Sequence, residues 1–302
     1  LKTMSKSELL PVAVIDIGSN SVRLMTVFGG KKIKKLSTTR LGEGLYKSGV
    51  IREDALIRTV NAVVDFYNEA KSLNIENIYA FATAAVRNAK NGSNFVKAVK
   101  EKIPLDVDVI SGEAEANLAF LGALYGKAGG VIDVGGASSE AVYTFDGDAP
   151  CYEKSMPVGA VKLRDGFTGN YAAADKFLKE QVKIYGDVKN LNGGFYAVGG
   201  TATSLAAIDL KLKLYDPLKT DGHVLKTERV KEIFDELKGM TAEEITNAYA
   251  VDLKRAEIIS YGTLIILNIL NYFNLPEITV SESDNLEGYL IFKDGGYEKI
   301  LR

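Results

Sequence analysis

The strongest constraint on this chain is a device that it uses twice. "AVIDIGSNSVRL", residues 13–24, is an apolar run that ends in Asp16 and turns at once through Gly18, Ser19, Asn20 and Ser21. "GGVIDVGGASSE", residues 129–140, repeats the pattern: apolar run, Asp133, one residue, Gly135, then small hydroxylic residues. Each apolar run reads as a strand, and each turn leads into a second strand, "SVRLMTVF" or "SSEAVYTF". Glycine lets successive backbone N–H groups point inward with no Cβ in the way, and such a nest binds phosphate oxygens. An aspartate repels phosphate, so its natural task is to hold a hard, oxygen-ligated cation, with Mg²⁺ the default. A single Asp-x-Gly turn usually means only a hairpin. Two copies in corresponding places call for a common cause.

The rest of each half follows the same plan. After the first hairpin, "KKIKKLSTT" reads as a third strand whose lysines mark a solvated edge. Leu56, Val60, Val63, Val64 and Tyr67 share one face of a helix over residues 53–73. "NIYAFATAAVRNAKN" reads as a buried strand and a loop, "VDVI" as a strand, and "GEAEANLAFLGALYG" as a helix capped by Ser111. The second half adds the strands "APCYEKSMPV" and "GGFYAV" and helices near 171–186 and 227–237. A third glycine turn, "AVGGTATS", has Gly199 and Gly200 opening a helix, a ready site for an anion. Residues 254–273 are apolar nearly all round and predict a buried helix. Two similar α/β domains facing across a cleft are expected, residues 1–125 and 126–302, joined near "LYGKAGG".

Composition removes several chemistries. The chain has 302 residues with one cysteine, Cys151, and one histidine, His223. Intrachain disulfides, CxxC sites and multi-histidine zinc sites are excluded, and a Ser-His-Asp triad is a poor fit. Proton transfer would fall to carboxylates. A net charge of −2 argues against DNA as a partner. No run approaches the ~20 apolar residues of a membrane span, and no signal-peptide core is evident, so a cytoplasmic location is expected.

"AVIDIGSNSVRLM", "TRLGEGLYKSG", "FATAAVRNAKN", "VISGEAEANLAFLG", "VIDVGGASSE", "MPVGAVKL" and "AVGGTATSLAAI" follow in this order. Together they resemble the exopolyphosphatase/guanosine pentaphosphate phosphohydrolase family, of the sugar kinase–Hsp70–actin fold superfamily. The likeness runs from about Val12 onward and covers the two-domain core, without the extra helical domain of longer members. It implies two ribonuclease H-like domains, each a mixed sheet flanked by helices. The active-site cleft would lie between them, and the C-terminal helix could pack back on the first domain. By position it implies that Gly18, Ser19, Asn20 and Arg23 bind phosphate with Asp16 at the metal, and that Gly135, Gly136 and Ser138 do so with Asp133 and Glu140. Arg87 would face phosphate, and Glu115 would activate water. The implied substrates are inorganic polyphosphate or guanosine pentaphosphate, the cofactor Mg²⁺, and the assembly a homodimer.

In "TDGHVL" His223 stands after the glycine, where relatives tend to have a histidine before it, and three substitutions also depart from the family pattern. Ala114 replaces one of two adjacent glutamates, Ala137 a third turn glycine, and Leu286 an arginine. An alanine methyl would forbid a positive φ at 137, and Leu286 removes a phosphate ligand unless it packs with Leu290 in the core. These departures keep a non-catalytic polyphosphate or alarmone sensor as an alternative to the hydrolase, with a small-molecule kinase of the same superfamily third.

Overall fold

The computed structural model describes residues 11–294 apart from 30, 125, 148–149, 187–190 and 192. Tyr125, in the expected domain join, and Ala149, at the start of an expected strand, lie outside the described residues. The chain divides into two units, one comprising residues up to Ser111 together with those from Leu286, the other Gly112–Asn285. The division therefore falls at Ser111, ahead of the expected join near 125. The reason is the helix that starts at Gly112. Ala116, Ala119, Phe120 and Leu124 on that helix bury against Val131, Val142 and Val198 of the second unit's sheet.

The first unit contains β1 (Val12–Ile17), β2 (Ser21–Phe28), β3 (Lys31–Thr38), α1 (Leu45–Ser48), α2 (Glu53–Ser72), β4 (Asn77–Ala82), α3 (Ala84–Asn88), α4 (Gly92–Lys102) and β5 (Val107–Val109). Its sheet has the order β3-β2-β1-β4-β5. The β1–β2–β3 meander is antiparallel, and β4 and β5 run parallel to β1. β1 is buried at every position because helices and hairpin both need its faces. Where a loop was expected after β4, residues 84–88 form the short helix α3.

The second unit opens with α5 (Gly112–Leu124) and then β6 (Gly129–Val134), β7 (Ser139–Thr144) and β8 (Tyr152–Met156). There follow α6 (Ala160–Phe167), α7 (Tyr171–Gln181) with a 3₁₀ turn to Tyr185, β9 (Phe195–Val198), α8 (Gly199–Asp209) and α9 (Pro217–Thr220). The unit ends with β10 (Val224–Lys226), α10 (Thr227–Leu237), α11 (Ala242–Ala248), α12 (Leu253–Tyr272) and β11 (Glu277–Val280). The sheet order β10-β11-β9-β6-β7-β8 repeats the first unit's plan, with β6–β7–β8 answering β1–β2–β3, β9 answering β4 and β11 answering β5. α12 is buried from Ile258 to Leu270, and its apolar surface is consumed within this unit's own core. Among the described residues no helix is long and apolar enough to cross a membrane.

β3 is the edge strand of its sheet, as its lysines suggested, and the last helix, α13 (Asn285–Asp294), engages two of those lysines. The strand alternation puts Lys32 and Lys34 on one face, where both reach the buried Glu287 carboxylate, at 2.7 and 2.8 Å. At the other side of the same sheet Tyr289 donates to Asp108, which also pairs with Lys293 at 2.7 Å. Tyr289 stacks on Phe81 with ring centroids 4.6 Å apart.

Leu286 and Leu290, on α13, are both fully buried. The position at which the resemblance implies a phosphate-binding arginine is therefore core here. Leu286→Arg would put a cation into that core, and such a charge is strongly destabilising unless paired. The substitution is expected to cost about 3 kcal/mol or more, with no gain in affinity for polyphosphate. Thermal melting beside phosphate-release kinetics checks this, and a lower KM with unchanged Tm would contradict it.

Candidate functional site

Both hairpins close the same way. Gly18 N–H donates to the Ser21 carbonyl at 3.0 Å, and Gly135 N–H donates to the Ser138 carbonyl at 3.0 Å. Both set the strand-end aspartate directly across from the residue seven positions later: Asp16 faces Arg23, and Asp133 faces Glu140. The two hairpins share this geometry and differ in charge.

In the first unit the cross-strand partner is a cation. Arg23 Nε and Nη2 both donate to Asp16 Oδ2, at 2.9 and 2.5 Å. Asp16 was expected at a metal and Arg23 at phosphate; the structure joins them to each other. Ser19 and Asn20, at the tip of the turn, are both buried. A neighbouring loop holds them there: Gly42 N–H donates to Ser19 O at 2.8 Å, and Thr39 and Arg40 N–H donate to Asn20 O at 3.0 and 2.8 Å. A methyl group at Gly42 would lie 3.0 Å from Ser19 Cβ, so only glycine lets the loop lie this close without displacing the turn. Arg87, on α3, donates from Nη1 to the Ile110 carbonyl at 2.7 Å.

In the second unit the cross-strand partner is an anion. Asp133, Glu140 and Glu115 are all more than nine-tenths buried. Burial first, then the charges of Glu115 and Asp133, push the Glu140 carboxyl well above its ordinary value. Glu140 Oε1 accepts from Ser155 Oγ at 2.7 Å, and Oε2 is buried with no hydrogen-bond partner. Asp133 Oδ2 accepts from Asn285 Nδ2 at 3.0 Å. Glu115 enters this cluster from the first turn of α5, as its spacing in "SGEAE" predicts. Among the described residues no three His, Cys, Asp or Glu side chains enclose a metal ion by themselves. Two carboxylates with room for other oxygens are the usual protein share of a Mg²⁺ site, the remainder coming from water and substrate phosphate. Asp133 and Glu140 fit that share. Asp16, held by Arg23, fits it less well.

The glycine turns are shaped by their neighbours. Gly199 opens α8 at φ +78°, and a Cβ there would stand 2.7 Å from Asp133 Oδ1. A Cβ on Gly200 would stand 2.3 Å from Arg255 Nη2, so the guanidinium of α12 lies against the start of α8. Arg255 was missed by the sequence reading: it lies far from any glycine motif, and only the tertiary fold brings it to one. Asn285 and Ser155 were missed for the same reason. Behind the second turn, Ala160 N–H donates to Gly135 O at 2.9 Å, and Val161 N–H to Gly136 O at 2.8 Å. Gly159 lets α6 approach this closely, since a Cβ there would be 2.4 Å from Ala137 N. Ala137 itself has no positive φ, so the alanine carries none of the strain that its departure from glycine suggested.

The profile of the Ppx/GppA phosphatase family matches residues 14–293, and the chain belongs to that family. It is 32% identical to a bifunctional 3-dehydroquinate synthase/phosphatase of Fusobacterium nucleatum, over 92% of this chain and 46% of that protein. The chain thus spans about half the length of that relative. Exopolyphosphatase 2 of Mycobacterium tuberculosis is 25% identical over 93% of this chain and 97% of its own. Among solved structures, the Aquifex aeolicus PPX-GPPA enzyme superposes with a TM-score of 0.75 at 31% identity, covering 94% of this chain and 99% of that one. The two mixed sheets flanked by helices are those of this enzyme's fold.

The buried anionic pair makes a stability prediction that needs no substrate. Glu140→Gln keeps the shape and removes a carboxyl whose charged form burial, Glu115 and Asp133 all disfavour. In EDTA at about pH 8 its Tm should exceed that of the parent by a few degrees. Added Mg²⁺ should stabilise the parent more than the variant and close the gap. Equal melting with and without Mg²⁺ would count against Glu140 as a Mg²⁺ ligand.

Proposed function

We propose that this chain hydrolyses a terminal phosphoanhydride bond, releasing orthophosphate from inorganic polyphosphate or the 5′ γ-phosphate from guanosine pentaphosphate. The observation that carries the reading is the charge contrast between the hairpins: Asp133 faces Glu140, where the matching Asp16 faces Arg23. One turn suits a cation that accompanies phosphate, and the other suits the anion. Family membership supports the same chemistry, and the names of the relatives narrow it to phosphohydrolases.

In this reading Asp133 and Glu140 hold Mg²⁺. The ion, when bound, supplies charge neutralisation on the phosphoryl group. Glu115 holds a water and takes its proton as the oxygen attacks the terminal phosphorus. The P–O bond to the remaining chain breaks, and its electron pair leaves with the shortened polyphosphate or with the nucleoside diphosphate end. The backbone N–H of Gly136, in the turn that Gly135 closes, the Ser138 hydroxyl, the start of α8 at Gly199 and Gly200, and Arg255 stabilise phosphoryl oxygens. Taken by itself, the first unit offers a separate anion-binding turn at Gly18, Ser19 and Asn20, and Arg87 is a cation of that same unit. Arg23 serves the same turn while Asp16 fixes its orientation.

The non-catalytic alternative rested on Ala114, Ala137 and Leu286. Ala137 sits in a conformation that alanine adopts freely, and Leu286 is a core residue, so two of the three departures have structural explanations. A kinase would need an acceptor other than water, whereas phosphate release without any acceptor marks a hydrolase.

Glu115→Gln should lower phosphate release by about 10²–10⁴-fold while leaving the fold and substrate binding nearly intact. Turnover within threefold of the parent would exclude Glu115 as the base. Asp133→Asn should raise the Mg²⁺ concentration needed for half-maximal release, since a neutral amide is a poorer ligand for a hard cation. An unchanged Mg²⁺ titration would reduce Asp133 to a turn residue. Both are measured with polyphosphate and guanosine pentaphosphate side by side, and absence of phosphate release from either by the parent overturns the reading.

A further inference from the structure

Two polar side chains at the first turn are buried and have no hydrogen-bond partner among the described residues. Asn20 is 5% exposed, and neither its Oδ1 nor its Nδ2 has a hydrogen-bond partner. Thr39 is 1% exposed, and its Oγ1 has none. Buried groups of this kind cost free energy comparable to a lost hydrogen bond, and native proteins rarely keep them without a use.

The two residues are neighbours through their backbones. Thr39 follows β3 and donates its N–H to Asn20 O at 3.0 Å, while Arg58 Nε of α2 donates to the Thr39 carbonyl at 2.7 Å. The main chain of Thr39 is thus held from two sides, and only its hydroxyl is left over. Valine has the same shape as threonine and would fill the same space without the unsatisfied group. Loss of conformational freedom does not explain the choice either, since both side chains are β-branched. The hydroxyl is therefore what the position keeps.

We propose that Thr39 is a substrate-binding residue, its hydroxyl and the Asn20 amide donating together to oxygens of a phosphate seated on the first turn. The proposal rests on the phosphohydrolase reading above and extends its binding surface to the "TRLGEG" loop. Three features favour an anion of the phosphate class. Both groups can donate, and phosphate oxygens only accept. The Asp16 carboxylate, which would repel an anion, is paired with Arg23 at 2.5 Å. The backbone bonds from Thr39, Arg40 and Gly42 to Ser19 and Asn20 fix loop and turn as one rigid piece, so neither donor has to be ordered at the moment of binding.

The test uses the full chain, inorganic tripolyphosphate as binding probe, and the variants Thr39→Val and Thr39→Ser. Thr39→Val should weaken tripolyphosphate binding by about 10- to 150-fold, the range for a hydrogen bond to a charged acceptor. Its own Tm, without ligand, should equal or exceed that of the parent. Thr39→Ser should restore most of the binding, at a slightly lower Tm because it lacks the methyl group. Parent-like binding by Thr39→Val overturns the proposal, and so does a failure of Thr39→Ser to rescue, which would make Thr39 a packing residue. If the parent binds tripolyphosphate and Thr39→Val does not, yet the parent releases phosphate from neither proposed substrate, the binding role stands and the hydrolytic reading falls. A parent that does not bind tripolyphosphate overturns the role of Thr39 as well.

Discussion

The structure depends on what stands across the strand from each hairpin's aspartate. An antiparallel pair brings facing side chains within contact distance, so their charges must be settled locally. At Asp16 the settlement is internal: Arg23 reaches across with two hydrogen bonds to one carboxylate oxygen. At Asp133 it is not, because the facing residue is Glu140 and Glu115 arrives from α5. Two hairpins of matching register thus differ in local charge through one change of partner, guanidinium for carboxylate.

Close backbone approach is the second requirement. Gly199 and Gly200 stand where a Cβ would meet Asp133 and Arg255 at 2.7 and 2.3 Å, and Gly159 where it would meet the Ala137 amide at 2.4 Å. These contacts put the start of α8 against the carboxylate cluster and the start of α6 against the second turn. Helix starts carry N–H groups with no intrahelical acceptor. At α6 this packing gives them a use, as the bonds from Ala160 and Val161 to the turn carbonyls show. Alanine at 137 is tolerated within the same turn because its φ is ordinary. Position, more than composition, decides which glycines are needed.

The features legible in the sequence were those with local causes. Both hairpins, the buried α12 and the helix-start position of Glu115 follow from periodicity and turn chemistry, and all three stand in the structure. The features that escaped have distant causes. β10 and β11 are three and four residues long, too short to show a period, and take their places from the neighbouring β9. β3 is the edge its lysines suggested, but the pairing of two of them with Glu287, more than two hundred residues away, has no local signal. Arg255, Asn285 and Ser155 carry no motif, and each reaches the site only through its element's packing. Leu286 shows the limit of matching positions: the arginine site that the resemblance implies is here a core leucine beside Leu290.

The carboxylates of this protein fall into two kinds by the company they keep. Glu287 is buried and paired with Lys32 and Lys34; Asp209 is held by Arg229 and His223, at 2.6 and 2.7 Å; Asp108 is held by Lys293 and Tyr289. In each case the protein supplies the opposing charge, or a donor beside it, and the carboxylate fastens one element to another. Burying such a group without a cation would be expensive, so pairing is what a structural role demands. Glu140 is treated differently. Its hydrogen-bond partner is the hydroxyl of Ser155, which orients the carboxylate without neutralising it, and its nearest charged neighbours are Glu115 and Asp133. Asp133 is likewise oriented by an amide, that of Asn285. Neutral donors fix geometry and leave charge available, which a ligand-binding carboxylate needs and a structural one does not. That distinction, drawn from partners and burial alone, separates the cluster on the second hairpin from the ion pairs that hold the two units' elements in place.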